Sequence, residues 1–391
     1  MNVETHILPA TAYNRNRVRL AVSLFYFCQG LAFASWASRI PDIKTKLHLS
    51  DGQLGSLLFA LPLGQLATMA LSGTLVTKFG SKKVLTVAAA LYVVALTNLG
   101  LASQGWHLGV SLFIFGIIGN MCNIAVNTQG VAAENLFDKP IMSSFHGAWS
   151  IAGFTGALVG LLMINLHIAP YLHFWIIAGL VWISILINNK FLVAGVGPAS
   201  TTKKKLFSKP EGALLQLGVI GFCSMATEGA MFDWSGVYFK DIVKAPQALV
   251  PLGYASFMVM MASGRFIGDR LIARLGRKRV LQVSGVLISS GMFLAVLFPY
   301  IITAVIAFML VGLGVATVVP TVYSVAGRNA KVSPGIALAM VSSVSYLGFL
   351  MGPPLIGYIA ELASLRYSYA VIGVFGLVIT LLVAKIRAIN Q

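Results

Sequence analysis

Ala226-Thr227-Glu228-Gly229-Ala230-Met231-Phe232-Asp233-Trp234 lies inside an otherwise apolar run from Ala213 to Phe239 that is long enough to cross a bilayer. A carboxylate near the middle of such a helix costs roughly 2.5–3.5 kcal/mol or more, so it normally faces a cavity, a partner or a bundle interior. This stretch carries two, Glu228 and Asp233, with Trp234 directly after the second. At about 100° per residue their spacing sets them about 140° apart, so one straight helix cannot aim both along one line. Gly229 and Gly236 are points where the helix can loosen. The pair points to proton or cation sensing in a transport pathway. The plainer alternative has one acid paired with an arginine as interhelical glue and the other at the water interface.

The rest of the chain repeats this apolar character. Hydrophobic residues make up 58% and charged residues 10%, a balance that excludes an ordinary soluble domain. Apolar runs predict twelve spans, near 18–38, 51–76, 84–103, 107–131, 142–165, 169–192, 213–239, 249–272, 279–299, 302–325, 335–358 and 364–386. The net charge of +17 is a matter of topology: 21 of the 28 Lys and Arg fall in the tails and the loops on one side, six on the other, and Arg265 lies within a span. Cationic loops stay cytoplasmic, so both termini are expected inside, and a nucleic-acid partner is excluded. With no small-residue cleavage pattern after the first span, the N-terminus reads as an uncleaved helix. Cys28, Cys122 and Cys223 lie within spans and read as buried apolar fillers.

Residues 193–212, with Gly195, Gly197, Pro198 and Lys203-Lys204-Lys205, form a basic cytoplasmic linker. It separates a bundle over 18–192 from one over 213–386, with cytoplasmic tails at 1–17 and 387–391. The halves echo each other. Gln29-Gly30 followed by Ser35-Trp36 answers Glu228-Gly229 followed by Asp233-Trp234. Gly73-Thr74-Leu75-Val76-Thr77-Lys78-Phe79-Gly80-Ser81-Lys82-Lys83 answers Asp269 to Arg279, which contains Arg274-Leu275-Gly276-Arg277.

Over its full length the chain resembles the major facilitator superfamily. The basic Gly-x-x-x-x-x-x-Gly-x-Lys-Lys loop is similar to that family's signature, although Thr77 and Ala273 stand where the family carries aspartate, and Asp269 sits one turn earlier. A narrower resemblance is to the fucose-permease-like branch, and within it to uncharacterised bacterial inner-membrane proteins of the YbjJ type. It rests on Ala34-Ser35-Trp36-Ala37-Ser38-Arg39-Ile40-Pro41, on Glu228 to Trp234, on Val319-Pro320-Thr321-Val322-Tyr323-Ser324 and on Gly352-Pro353-Pro354-Leu355-Ile356-Gly357-Tyr358. The resemblance implies alternating access between two six-helix bundles, with charged loop residues acting as a gate. Lys78, Lys82, Lys83, Arg274, Arg277 and Asp269 are the candidates here. Sugar permeases of that branch carry a proton-accepting glutamate four residues before an asparagine in the fourth span. Here Asn123 precedes Asn127, so proton coupling is either absent or moved to Glu228 and Asp233.

Within span four, Asn120, Asn123 and Asn127 fall within about 60° of one another, and Glu134 continues the line toward the cytoplasm. Such a stripe suits hydrogen bonding to a polar solute, against the alternative of helix-to-helix bonds. Gln29 and Trp36 share a face, with Arg39 beyond. Trp36 and Trp234 read equally as solute-facing aromatics or as interfacial anchors. Trp149, Thr321 and Tyr346 are further cavity candidates, whereas His146 reads as a structural histidine on the close-packing face of Gly153 and Gly160. Protonation of a buried acid would free it from a cationic partner, for which Arg39 and Arg265 are available.

No Walker loop, metal-ligand cluster or hydrolase motif occurs, so no catalytic residue, metal or cofactor is expected. The expectation is an all-α membrane protein of twelve transmembrane helices in two six-helix bundles, working as a monomer amid membrane lipid. It would move a small polar solute, for example a sugar or sugar derivative, by secondary transport with proton coupling. The alternatives are an exporter of amphipathic compounds, suggested by Met258, Met260 and Met261, and a non-transporting membrane scaffold or sensor.

Overall fold

The computed structural model describes residues 14–137, 141–194, 212–327 and 334–386; for Ala70, Ser143, Asp269, Gly327, Pro334, Gly335, Ile336, Leu338 and Ala339 it describes the backbone only. No strand occurs among these residues. The chain runs α1 (Arg15–Lys46), α2 (Asp51–Leu58), α3 (Ala60–Phe79), α4 (Ser81–Leu101), α5 (Gly105–Glu134), α6 (Met142–Asn165) and α7 (Pro170–Asn188). It continues as α8 (Ala213–Asp241), α9 (Leu252–Leu275), α10 (Arg277–Leu297), α11 (Ile301–Val315), α12 (Val318–Gly327), α13 (Pro334–Leu362) and α14 (Leu365–Lys385). Eleven of the described helical segments are long and apolar enough to cross a membrane. The bent pair Asp51–Met69 and Leu71–Phe79, at 50°, makes a twelfth when counted as one span.

Proline explains the division of span ten into α11 and α12. Pro320 has no N–H to offer the carbonyl of Ala316, and its ring crowds that turn, so the regular ladder lapses just after Val315. Thr321 partly compensates by donating its hydroxyl to the Thr317 carbonyl at 2.6 Å. Pro353 and Pro354, by contrast, lie inside an unbroken α13.

The helices form two compact units, one of α1 and α3–α7, the other of α2 and α8–α14. Inside each unit the same neighbours recur. α1 packs on α6 and α7, as α8 packs on α13 and α14; α3 and α4 both pack on α5, as α9 and α10 both pack on α11. The turns repeat as well. Gly80 and Gly276 take φ of 83° and 78° between α3 and α4 and between α9 and α10, a region open to glycine at no steric cost.

Membership of α2 departs from the sequence reading, which placed all of 51–76 in the first bundle. Ser50 and Gln53 close a capping box at its start, and the short helix then lies against α13. A Cβ on Gly55 would come within 2.7 Å of the Pro353 carbonyl oxygen and 2.9 Å of the Gly357 Cα, so two glycines bring these backbones together. The Gly52 N–H donates to Glu361 Oε2 at 3.0 Å, and the Ser56 and Tyr358 hydroxyls lie 2.8 Å apart.

In the first unit α3 and α5 meet through the same device. A Cβ on Gly116 would overlap the Leu61 carbonyl, whereas Gly179 has open space around it. Gly116→Ala should therefore force α3 and α5 apart and cost about 1–3 kcal/mol, the usual penalty for overpacking. A clear drop in the unfolding midpoint of detergent-purified protein is expected, with Gly179→Ala close to the parent.

Candidate functional site

Polar groups gather at one place in the first unit. The Tyr26 hydroxyl of α1 donates to Asn127 Oδ1 of α5 at 2.9 Å, and Asn127 Nδ2 donates to the Asn123 carbonyl at 2.8 Å and to Asn123 Oδ1 at 2.6 Å. His146 of α6 meets the Tyr26 ring edge-on, with centroids 5.4 Å apart. Trp149, one turn later, lies 6.4 Å from the Phe33 ring. Gly30 makes this approach of α1 and α6 feasible, because a Cβ there would come within 2.7 Å of the Trp149 carbonyl oxygen. Asn123 and His146 are exposed, Asn127 and Trp149 half-buried and Tyr26 buried. The cluster thus offers amide, imidazole and phenol groups beside aromatic rings at an accessible surface of the unit.

Not every member of the expected stripe joins it. Asn120 is buried and turns to α3, where its Nδ2 lies 3.1 Å from Ser72 Oγ and 3.5 Å from Thr68 Oγ1. It serves a helix contact because the exposed and buried sides of α5 meet between Asn120 and Asn123. Glu134 accepts the backbone N–H groups of Ile141 and Met142 at 2.7 Å each, which neutralises orphan donors at the start of α6. Gln29 donates to the Gly119 carbonyl at 3.3 Å.

Trp36 and Trp234 are both 0% exposed, and neither indole N–H has a partner among the described residues. Both rings are fully covered, so neither is an exposed anchor in this structure. Their helices carry small residues around them (Ala34, Ser35, Ala37 and Ser235, Gly236), which lets neighbouring helices close over the rings.

Arg39 is likewise drawn inward, at 2% exposure. Its Nη1 pairs with Asp42 Oδ2 at 2.7 Å, its Nε donates to His173 Nδ1 at 3.3 Å, and its Nη2 donates to the Ile168 carbonyl. Every face of the guanidinium is occupied within the first unit, so Arg39 ties α1 to the start of α7 and is not the partner of Glu228.

That partner is Arg265. In the second unit its Nη2 lies 3.2 Å from Glu228 Oε1, joining α9 to α8, with the side chains 27% and 16% exposed. Asp233 is buried, and no hydrogen bond or ion pair reaches it among the described residues. Thr321 is buried with its hydroxyl turned to its own helix, and Tyr346 lies beside Phe349 at 6.2 Å. Among the loop cations, Lys78 stacks over Phe79 at 5.3 Å. Lys83 and Arg274 are exposed, and Lys82 and Arg277 half-buried, at the helix ends. The Asp269 side chain lies outside the described residues, so no gate can be assembled from this set.

Tyr26 and His146 are the members that sequence reading missed. A signal existed for Tyr26, which stands one turn before Gln29 on the same face of α1. For His146 the glycine spacing pointed to a packed face, and only the position of α1 reveals the ring as a neighbour of Tyr26.

Removing one member of the Arg39 group leaves the others buried without a counter-charge. Arg39→Leu should cost about 3–5 kcal/mol, and adding Asp42→Asn should restore part of it. A double-mutant cycle on unfolding midpoints reads the coupling.

Comparisons agree with this architecture. A chain from Yersinia pestis described as an uncharacterised transporter of the major facilitator type is 31% identical over 95% of this chain and 96% of its own. Membrane protein MosC of Rhizobium meliloti is 31% identical over 92% of this chain and 88% of its own. Among solved structures, a nucleoside transporter NupG superposes with a TM-score of 0.75 over 94% of this chain and 99% of that one, at 14% identity. A bacterial homologue of the human lysosomal transporter Spinster gives 0.71 over 95% and 96%, also at 14%, and both likenesses establish the fold alone. The family model of the Major Facilitator Superfamily matches residues 22–332 and 217–390, and the chain belongs to that superfamily.

Proposed function

We propose that the protein is a secondary active transporter that moves a small polar solute across a bacterial inner membrane by alternating access. It works as a monomer with both termini in the cytoplasm. The observation that carries this reading is the Tyr26–Asn127–Asn123 hydrogen-bonded chain with His146 against Tyr26, reaching the surface at Asn123 and His146 of a unit built of lipid-length helices. Neutral donors and acceptors next to aromatic faces suit a hydroxyl-bearing ring, so a sugar or sugar derivative is the first candidate, in keeping with the resemblance to the fucose-permease-like branch. The likeness to a nucleoside transporter adds nucleosides to the candidates. Cation coupling, with the proton as the proposed ion, resides in α8, where Glu228 and Asp233 lie. Export of amphipathic compounds finds no support in the methionine stretch, since Met258 and Met261 are packed inside the second unit.

The test is flux of labelled sugars, nucleosides and amino acids into liposomes holding the full-length protein, with and without an imposed proton gradient. Saturable uptake of one class is expected. Asn127→Ala should raise its KM roughly tenfold, the worth of one or two hydrogen bonds. Uptake that is equal with and without the gradient would remove the proton, and an unchanged KM in Asn127→Ala would remove the site.

A further inference from the structure

Asp233 differs from Glu228, the other acid within the apolar run of α8. It is 9% exposed, and among the described residues neither a cation nor a hydrogen-bond donor meets its carboxylate. Glu228, on the same continuous helix, already holds Arg265. At about 1.5 Å of rise per residue the two acids are about 7.5 Å apart along the axis, so they occupy different levels of the bundle.

The groups that neighbouring helices bring against α8 leave Asp233 no counter-charge. Among the helices packed on α8, the described cations are Arg265, Arg270 and Arg274 of α9 and Arg366 and Lys385 of α14, with Arg270, Arg274 and Lys385 exposed; α12 and α13 add tyrosines and Glu361, and α11 carries no titratable side chain. Arg265 is engaged by Glu228, and Arg366 donates through Nε and Nη2 to the Val296 carbonyl. Two phenols reach α8 at residues flanking Asp233: the Tyr254 ring lies 6.1 Å from that of Phe232, and the Tyr369 ring stacks on Tyr238 at 4.3 Å. They are 1% and 0% exposed, and neither hydroxyl has a hydrogen-bond partner among the described residues.

An uncompensated charge is not sustained in such surroundings. A proton on one carboxylate oxygen removes the charge, and the remaining carbonyl oxygen can accept from a phenol. We propose that Asp233, beside Tyr254 and Tyr369, is the proton-binding site of the second unit, and that the Glu228–Arg265 pair stays ionised throughout. The proposal deepens the transport reading and takes the coupled ion from it. The proton arrives from water on one side of the membrane, forms one O–H bond at Asp233, and returns to water on the other, with no other bond made or broken.

Infrared difference spectra of the full-length protein in liposomes, recorded between acidic and alkaline buffer, test the assignment without any solute. The carbonyl stretch of a protonated carboxylic acid should be present in the parent, absent in Asp233→Asn and retained in the double variant Glu228→Gln/Arg265→Gln. Tyr254→Phe should fold and shift that band, which keeps the test open if Asp233→Asn does not fold. A band that survives Asp233→Asn, or one lost with Glu228→Gln/Arg265→Gln, overturns the proposal. So does an unfolding midpoint raised by sodium over choline chloride in the parent but not in Asp233→Asn, since a metal cation would then hold the site. If the band behaves as expected while no labelled solute is carried, the transport reading fails and the proton site stands.

Discussion

A polar group inside a lipid-length helix must find its partner within the protein, and most of the described architecture follows from meeting that demand locally. Glu228 meets it through Arg265, Arg39 through Asp42, His173 and the Ile168 carbonyl, and Asn120 through Ser72 and Thr68. Each solution joins two helices of one unit. These bonds fix which faces of α1, α5 and α8 turn inward, since lipid offers no alternative partner for whatever is left over. The groups left accessible, Asn123 and His146 with the half-buried Asn127 and Trp149, therefore stand out chemically.

Close backbone approach is the second constraint, and glycine supplies it. Gly30 admits α6 to α1, Gly116 admits α3 to α5, and Gly55 with Gly357 admits α2 to α13. Without hydrophobic attraction between helices in lipid, such contacts are a main source of association energy. The recurrence of the same helix neighbours in both units, with Gly80 and Gly276 in matching turns, shows one packing scheme used twice. The two copies differ in their polar content. At matching positions of the repeat Gln29 answers Glu228 and Ser35 answers Asp233, so the first unit has amides and a hydroxyl where the second has acids.

Much of the fold was legible because bilayer thickness sets helix length and because cationic loops break the apolar runs. Predicted span 142–165 coincides with α6, and 364–386 differs from α14 by one residue at each end. The site was less legible. Angular position on α5 suggested a row of three asparagines, yet the boundary between buried and exposed sides falls inside the row. Trp36 and Trp234 read as solute-facing aromatics or interfacial anchors, yet both rings are fully covered. Burial depends on which helix lies opposite, and periodicity along one helix carries no such information.

The sequence by itself determined an all-helical membrane chain with an internal repeat, acids in α8 and a polar face on α5, since length, charge placement and 3.6-residue geometry are local properties. Tertiary structure alone decided that Arg265 rather than Arg39 answers Glu228, that Tyr26 and His146 join the asparagines, that α2 packs with the second unit and that Asp233 is left with phenols for company. Those outcomes depend on pairs of residues far apart in the chain, and only the packing of one helix against another brings such pairs within reach.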